Sequence, residues 1–222
     1  MDASDIRIAA IMPTYNQAKY IDEAIDSIVD QVDQLIVVDD GCRDGTADIL
    51  EARGFAGTTH AENEGIASAI NTGFRLLRDD ITWVGWVSSD NVYSPRWRES
   101  MLPYAVGSAG AVYSNFTHGK RPAGMPYKPG RLIGQEACYF GPSFIIRRDV
   151  WEATGEHRGK ISHDYDHWSR VEETCWDAGL DIVYNPEVLC NYRLHSERVC
   201  IVRRHQYDAP HWRSEAQKRR AV

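Results

Sequence analysis

The chain has 222 residues, of which 43% are hydrophobic and 26% charged, and its net charge is −7. That length suits one α/β domain with a substantial core better than two small ones, and the acidic balance excludes a protein that coats nucleic acid over its whole surface. No window reaches the 18 or more apolar residues of a membrane span, and residues 1–20 lack a basic start followed by an apolar signal core, so the sequence predicts a cytoplasmic protein without an integral membrane segment.

The first 110 residues alternate short apolar runs with amphipathic stretches. IRIAAIM reads as a strand, and Ile21, Ala24, Ile25, Ile28 and Val29 then recur at helical spacing. LIVVDD is a second strand, followed by another amphipathic stretch and by a third around residue 60. Ile66, Ala69, Ile70, Gly73, Phe74 and Leu77 repeat the helical stripe, and ITWVGWV follows as a further strand. This alternation predicts right-handed βαβ units, a mostly parallel central sheet and helices on both faces.

Past residue 115 the pattern loosens. FTHGKRPAGMPYKPGRLIG, residues 116–134, holds three prolines and four glycines and is expected to be an exposed loop. CYFGPSFIIRRDVWEATG reads as a strand and a short helix that Gly155 ends. Trp168, Val171, Cys175 and Ala178 mark a helix closing at Gly179, and DIVYNPEVLCNYRLH is extended. The five cysteines (Cys42, Cys138, Cys175, Cys190, Cys200) form no C-x-x-C pair and are expected to be reduced thiols. The tail, residues 201–222, is basic and reads as a solvated terminus.

Ligands of parallel sheets bind beyond the carboxyl ends of the strands. Three apolar runs here end in polar clusters: Pro13-Thr14-Tyr15-Asn16, Asp39-Asp40-Gly41 and Ser88-Ser89-Asp90-Asn91. Tyr15 offers a flat face to a nucleobase, or packs. Asp39 and Asp40 offer acceptors to a ring N–H, or form an ordinary Asp-Gly turn before a helix capped near Asp44 or Thr46. Asn63-Glu64-Gly65 opens a helix whose first N–H groups suit an anion. His163 and His167, at i and i+4 in HDYDH, lack an evident third metal ligand and read as surface residues.

Taken in order, P-T-Y-N after a strand, VVDDG with Asp44 shortly after, N-x-G before a third helix and an Asp-containing turn after an aromatic strand resemble the nucleotide-sugar half of inverting family 2 glycosyltransferases. CYFGPSFIIRRDVWEATG, HDYDHWSRV and YRLH are similar to that family's acceptor-side strand and helix, acidic motif and closing motif. The resemblance covers about residues 6–196. It implies a single GT-A (Rossmann-like) domain over 1–222, with a nucleotide-sugar half over about 1–110, an acceptor half over about 111–200 and the basic tail beyond.

The resemblance also implies roles. Tyr15 and Asp40 contact the nucleobase, Asp39 supports that turn and Pro13 shapes it, while Asn63 and Ser89 join the donor site. Asp90 coordinates Mn²⁺ or Mg²⁺ with His195 as a further ligand, Arg193 neutralises the diphosphate, and Asp164 is the general base. The expected donor is a nucleotide-sugar, UDP-linked before dTDP or GDP. The acceptor is a glycan, lipid-linked sugar, protein or other hydroxyl compound, with nucleic acid not favoured. Against the family pattern, Ser88 and Ser89 stand where an aspartate is common, Asn91 follows Asp90, Cys42 replaces a serine and Ile70 replaces an arginine. One carboxylate then anchors the ion, which predicts weak metal binding without the nucleotide. A sugar nucleotidylyltransferase would need a glycine-rich phosphate loop, and PTYNQAKY has no glycine. A non-catalytic sugar-nucleotide or glycan-binding member of the same fold is the alternative.

Overall fold

The computed structural model describes residues 5–118, 121–122, 140–159 and 163–196. Most of the 116–134 loop, Cys138, Cys200 and the basic tail lie outside the described residues. In chain order the elements are β1 (Ile8–Thr14), α1 (Ile21–Ile28), β2 (Gln34–Asp39), α2 (Thr46–Ala52), α3 (Ile66–Phe74), β3 (Trp83–Trp86), β4 (Val92–Tyr93), α4 (Trp97–Met101), β5 (Ala109–His118), β6 (Arg121–Pro122), β7 (Phe144–Arg147), α5 (Arg148–Thr154), α6 (His163–Asp177) and β8 (Asp181–Tyr192).

One sheet runs through the molecule in the order β2-β1-β3-β7-β5-β8-β4, with β6 paired to β5. β1 lies parallel to both β2 and β3, with Ile11 opposite Ile36 on one side and Trp86 on the other. It is buried along its whole length, as a central parallel strand covered on both faces must be. Ile8, Ala10 and Met12 point into a core closed by α1 and α4, through Ile21, Ala24, Ile25, Ile28, Trp97 and Met101. Ala9 and Ile11 point the other way, against Ala69 and Ile70 of α3, Trp151 of α5 and Trp168 of α6. Each isoleucine so buried contributes about 1.5–3 kcal/mol. Gly73 lets α3 sit tight on β1, because a Cβ there would come 2.4 Å from Ile11 Cγ2.

Several expectations change. The sheet is mixed, because β7 runs antiparallel to both β3 and β5, and β4 antiparallel to β8, while β5 and β8 are parallel. The alternation of strand and helix stops after β3. A single bridge joins Asp39 and Thr59, flanked by bonds from Asp39 N to the Thr58 carbonyl and from His60 N to the Asp39 carbonyl. Residues 116–118 belong to β5, because β8 offers them a ladder as far as His118 opposite Tyr192. The described cysteines, Cys42, Cys175 and Cys190, are free thiols, and no described helix is long and apolar enough to cross a membrane.

Candidate active site

The carboxyl ends of β1, β2 and β3 face one edge, and the loops there are stitched to one another. Asp44 accepts from the backbone N–H groups of Ala18 (3.0 Å) and Thr46 (3.1 Å), and Thr46 Oγ1 accepts from Gln17 N at 2.9 Å. Asn16, at φ 53°, accepts from Arg43 N through Oδ1 at 2.8 Å. Cys42 fills the serine position of the motif: its Sγ accepts from Asn16 N at 3.1 Å and its N–H donates to Asp39 Oδ1 at 2.8 Å. Burial, reinforced by Asp39, pushes its thiol up to about 12, which disfavours the thiolate. Pro13 is buried inside β1 opposite Val38, whereas Tyr15 is 42% exposed at the rim.

Asp40 has a different occupation from the one its motif suggests. Its carboxylate accepts from Glu64 N, Gly65 N and Asn63 Nδ2, each at 2.9 Å, and lies 2.8 Å from His60 Nδ1. The anion held at the start of α3 is therefore Asp40 itself, and the Asn63 amide is committed to it. His60 continues the network to Thr72 Oγ1 of α3 at 3.0 Å. Gly41 makes this closure possible: its φ is +76°, and a Cβ would meet the Glu62 carbonyl carbon at 2.7 Å.

The third strand end carries a carboxylate–imidazole pair. Asp90 Oδ2 lies 3.1 Å from His195 Nε2, across 105 residues of chain. The imidazole of His195 packs on Tyr20, with ring centroids 4.6 Å apart, and the Arg193 guanidinium sits 4.8 Å from the centroid of the same ring. Glu23 of α1 accepts from that guanidinium. The backbone of the closing segment is fixed by Asn91, whose Oδ1 accepts from Arg193 N at 3.1 Å, and by the β4–β8 ladder that pairs Val92 with Asn191. Ser89 is buried, and the Ser88 N–H donates to Tyr93 Oη at 3.1 Å; the Tyr93 hydroxyl in turn donates to the Pro142 carbonyl at 3.0 Å.

Asp90 and His195 fit a divalent ion. The two side chains are hydrogen-bonded to each other at 3.1 Å, close to the roughly 3.0 Å between neighbouring ligands of an octahedral ion at about 2.1 Å, and carboxylate with imidazole suits Mn²⁺. Among the described residues no group of three His, Cys, Asp or Glu side chains forms a metal site. Remaining positions would fall to phosphate oxygens and water.

Asp164 opens α6. Its Oδ1 accepts from Tyr165 N at 2.9 Å, and the preceding His163 ring packs 5.7 Å from Trp86, the last residue of β3. Asp166 has a structural post: it is buried and paired with Arg170 at 2.9 Å, and Arg170 also donates to the Thr154 and Glu156 carbonyls. Of the two acidic residues in this turn, Asp164 is the more exposed. His163 and His167 are not surface residues. Both are buried with His157, whose Nδ1 lies 3.1 Å from His163 Nδ1 and whose ring stacks on His167 at 3.7 Å. Asn71 of α3 holds this segment to the first half of the chain, pairing with the His157 backbone N–H (2.8 Å) and carbonyl (3.0 Å). The sequence reading missed Tyr20, Glu23, His60 and His157; of these only Tyr20, closing PTYNQAKY, lies inside a motif.

Polar loops at the carboxyl ends of β1, β2 and β3 thus converge at one edge of a mixed α/β sheet, beside an acid–imidazole pair. The chain belongs to glycosyl transferase family 2, whose model matches residues 9–155. It is 27% identical over 211 residues to an uncharacterized glycosyltransferase of Rickettsia prowazekii (strain Madrid E), covering 85% of this chain and 64% of that protein. The chain thus spans about two thirds of that relative's length. S. aureus TarS residues 1–349 in complex with UDP-GlcNAc superposes with a TM-score of 0.67 at 17% identity, covering 87% of this chain and 60% of that one. Glucosyl-3-phosphoglycerate synthase from Mycobacterium tuberculosis, in complex with Mn²⁺, UDP and phosphoglyceric acid, superposes with a TM-score of 0.64 at 18% identity, covering 86% and 72%. These likenesses show a shared fold.

Proposed function

We propose that the chain is the catalytic core of an inverting glycosyltransferase that moves a sugar from a nucleoside-diphosphate donor, UDP-linked, to a hydroxyl acceptor. The observation that carries this reading is the Asp90–His195 pair at 3.1 Å, standing where the β1, β2 and β3 loops converge. The structural neighbours in complex with UDP-GlcNAc, and with Mn²⁺ and UDP, support the donor class.

In this reading Tyr15 stacks on the base and Asp39 accepts its ring N–H, because Asp40 already holds three chain donors and serves as the anchor beneath. Pro13 shapes that turn, Asn63 acts through Asp40, and Ser89 lines the diphosphate side. Asp90 and His195 hold Mn²⁺ or Mg²⁺, which supplies positive charge to the diphosphate. Asp164 takes the proton of the acceptor hydroxyl as its oxygen attacks the anomeric carbon. The bond from that carbon to the diphosphate breaks on the opposite face, and Arg193 meets the charge that develops there. One base opposite the leaving group gives inversion by single displacement.

The test is nucleotide release across UDP-, dTDP- and GDP-sugars with Mn²⁺, alongside thermal shift. UDP with Mn²⁺ should raise the melting temperature, and Asp90→Ala should abolish that rise. Asp164→Asn should keep it and lose turnover. A chain that no nucleoside diphosphate stabilises refutes the reading; binding without turnover on a broad acceptor panel favours the non-catalytic alternative.

A further inference from the structure

Arg193 is already paired within the chain. Its guanidinium donates to Glu23 and stacks on Tyr20, the ring that also packs against His195. Three features make this pair exchangeable. The Arg193 backbone is pinned by Asn91, so the long side chain can turn about a fixed Cα. The carboxylate partner is the wetter member, 61% exposed against 23% for the arginine, so Glu23 can let go without stranding a buried charge. The guanidinium, shielded on one side by Tyr20, still requires an anion when Glu23 leaves, and a diphosphate presents a bidentate one.

We propose that Glu23 competes with the donor's diphosphate for the Arg193 guanidinium, so that donor binding exchanges a carboxylate partner for phosphate oxygens. The inference rests on the diphosphate role given to Arg193 above. Its consequence is a built-in weakening of donor affinity that also eases release of the nucleoside diphosphate after transfer. Glu23 is then a positioning residue, acting through Arg193 and never touching the substrate.

Calorimetric titration of UDP with Mn²⁺ into the wild-type chain, Glu23→Gln, Arg193→Gln and the double variant tests this. An exposed ion pair is worth up to about 1 kcal/mol, so Glu23→Gln should tighten UDP binding about two- to fivefold. Uridine, which brings no phosphate to Arg193, should bind both proteins equally, and the gain should vanish when Arg193→Gln is also present. With Arg193→Gln weakening UDP as expected, unchanged or weaker UDP binding in Glu23→Gln overturns the competition, as does an equal gain for uridine. If Arg193→Gln binds UDP as well as wild type, the role of Arg193 itself has failed, and the inference with it.

Discussion

Lowering the pH from 7.5 to 5.5 should cost this fold a substantial part of its stability, through the cluster of three buried imidazoles that His157 forms with His163 and His167 of α6. Burial holds His157, His163 and His167 below the ordinary value of 6.5. Arg170 reinforces the effect at His157 and His167, while Asp164 and Asp166 oppose it at His163. Nε2 of His157 and both ring nitrogens of His167 have no hydrogen-bond partner, so a proton there would be met by no acceptor among the described groups. An unfolded chain protonates these side chains as pH falls through 6.5, whereas the folded one resists. Stability is therefore fully present above that value and lost below it. Each such proton costs about 1.4 kcal/mol per pH unit, so three give a loss of up to about 4 kcal/mol at pH 5.5, against about 5–15 kcal/mol for a typical domain. Urea unfolding at pH 7.5, 6.5 and 5.5 measures it. His167→Phe, which keeps a ring against Trp151 and removes one proton site, should cut the loss by about a third. Equal losses in the variant and the wild type would refute the reasoning.

Two further outcomes follow from the anchor at the start of α3. Asp40→Ala leaves the Glu64 and Gly65 N–H groups and the Asn63 amide without their acceptor, and should cost about 3 kcal/mol in urea unfolding. Gly41→Ala forces a side chain into positive φ and onto the Glu62 backbone, and should cost about 2 kcal/mol or more while weakening UDP binding.

The first half of the fold was legible because its signals are local. Apolar runs and helical stripes before residue 90 each belong to one element, and parallel pairing follows from their alternation. The second half was not, since whether β7 and β8 run with or against β5 is decided by partners far away in the chain. The site divides in the same way. Asp90, Asp164, Arg193 and His195 carry motif signals, but Asp40 finds its donors about 25 residues on and Arg193 finds Glu23 at a separation of 170. The i, i+4 spacing of His163 and His167 was visible. Their burial was not, because it depends on His157 and Trp151 arriving from the preceding segment.

The placement of β8 bears on how the chain is made. It is the last described strand to leave the ribosome, yet it lies inside the sheet, between β5 and β4. A nascent chain that stops at residue 180 therefore shows an open β5 edge and a β4 with nothing to pair with, surfaces that invite association with other chains. Synthesis must run past Tyr192 before that edge is covered. C-terminal truncations that remove β8 should accordingly yield insoluble protein, not a smaller working fragment.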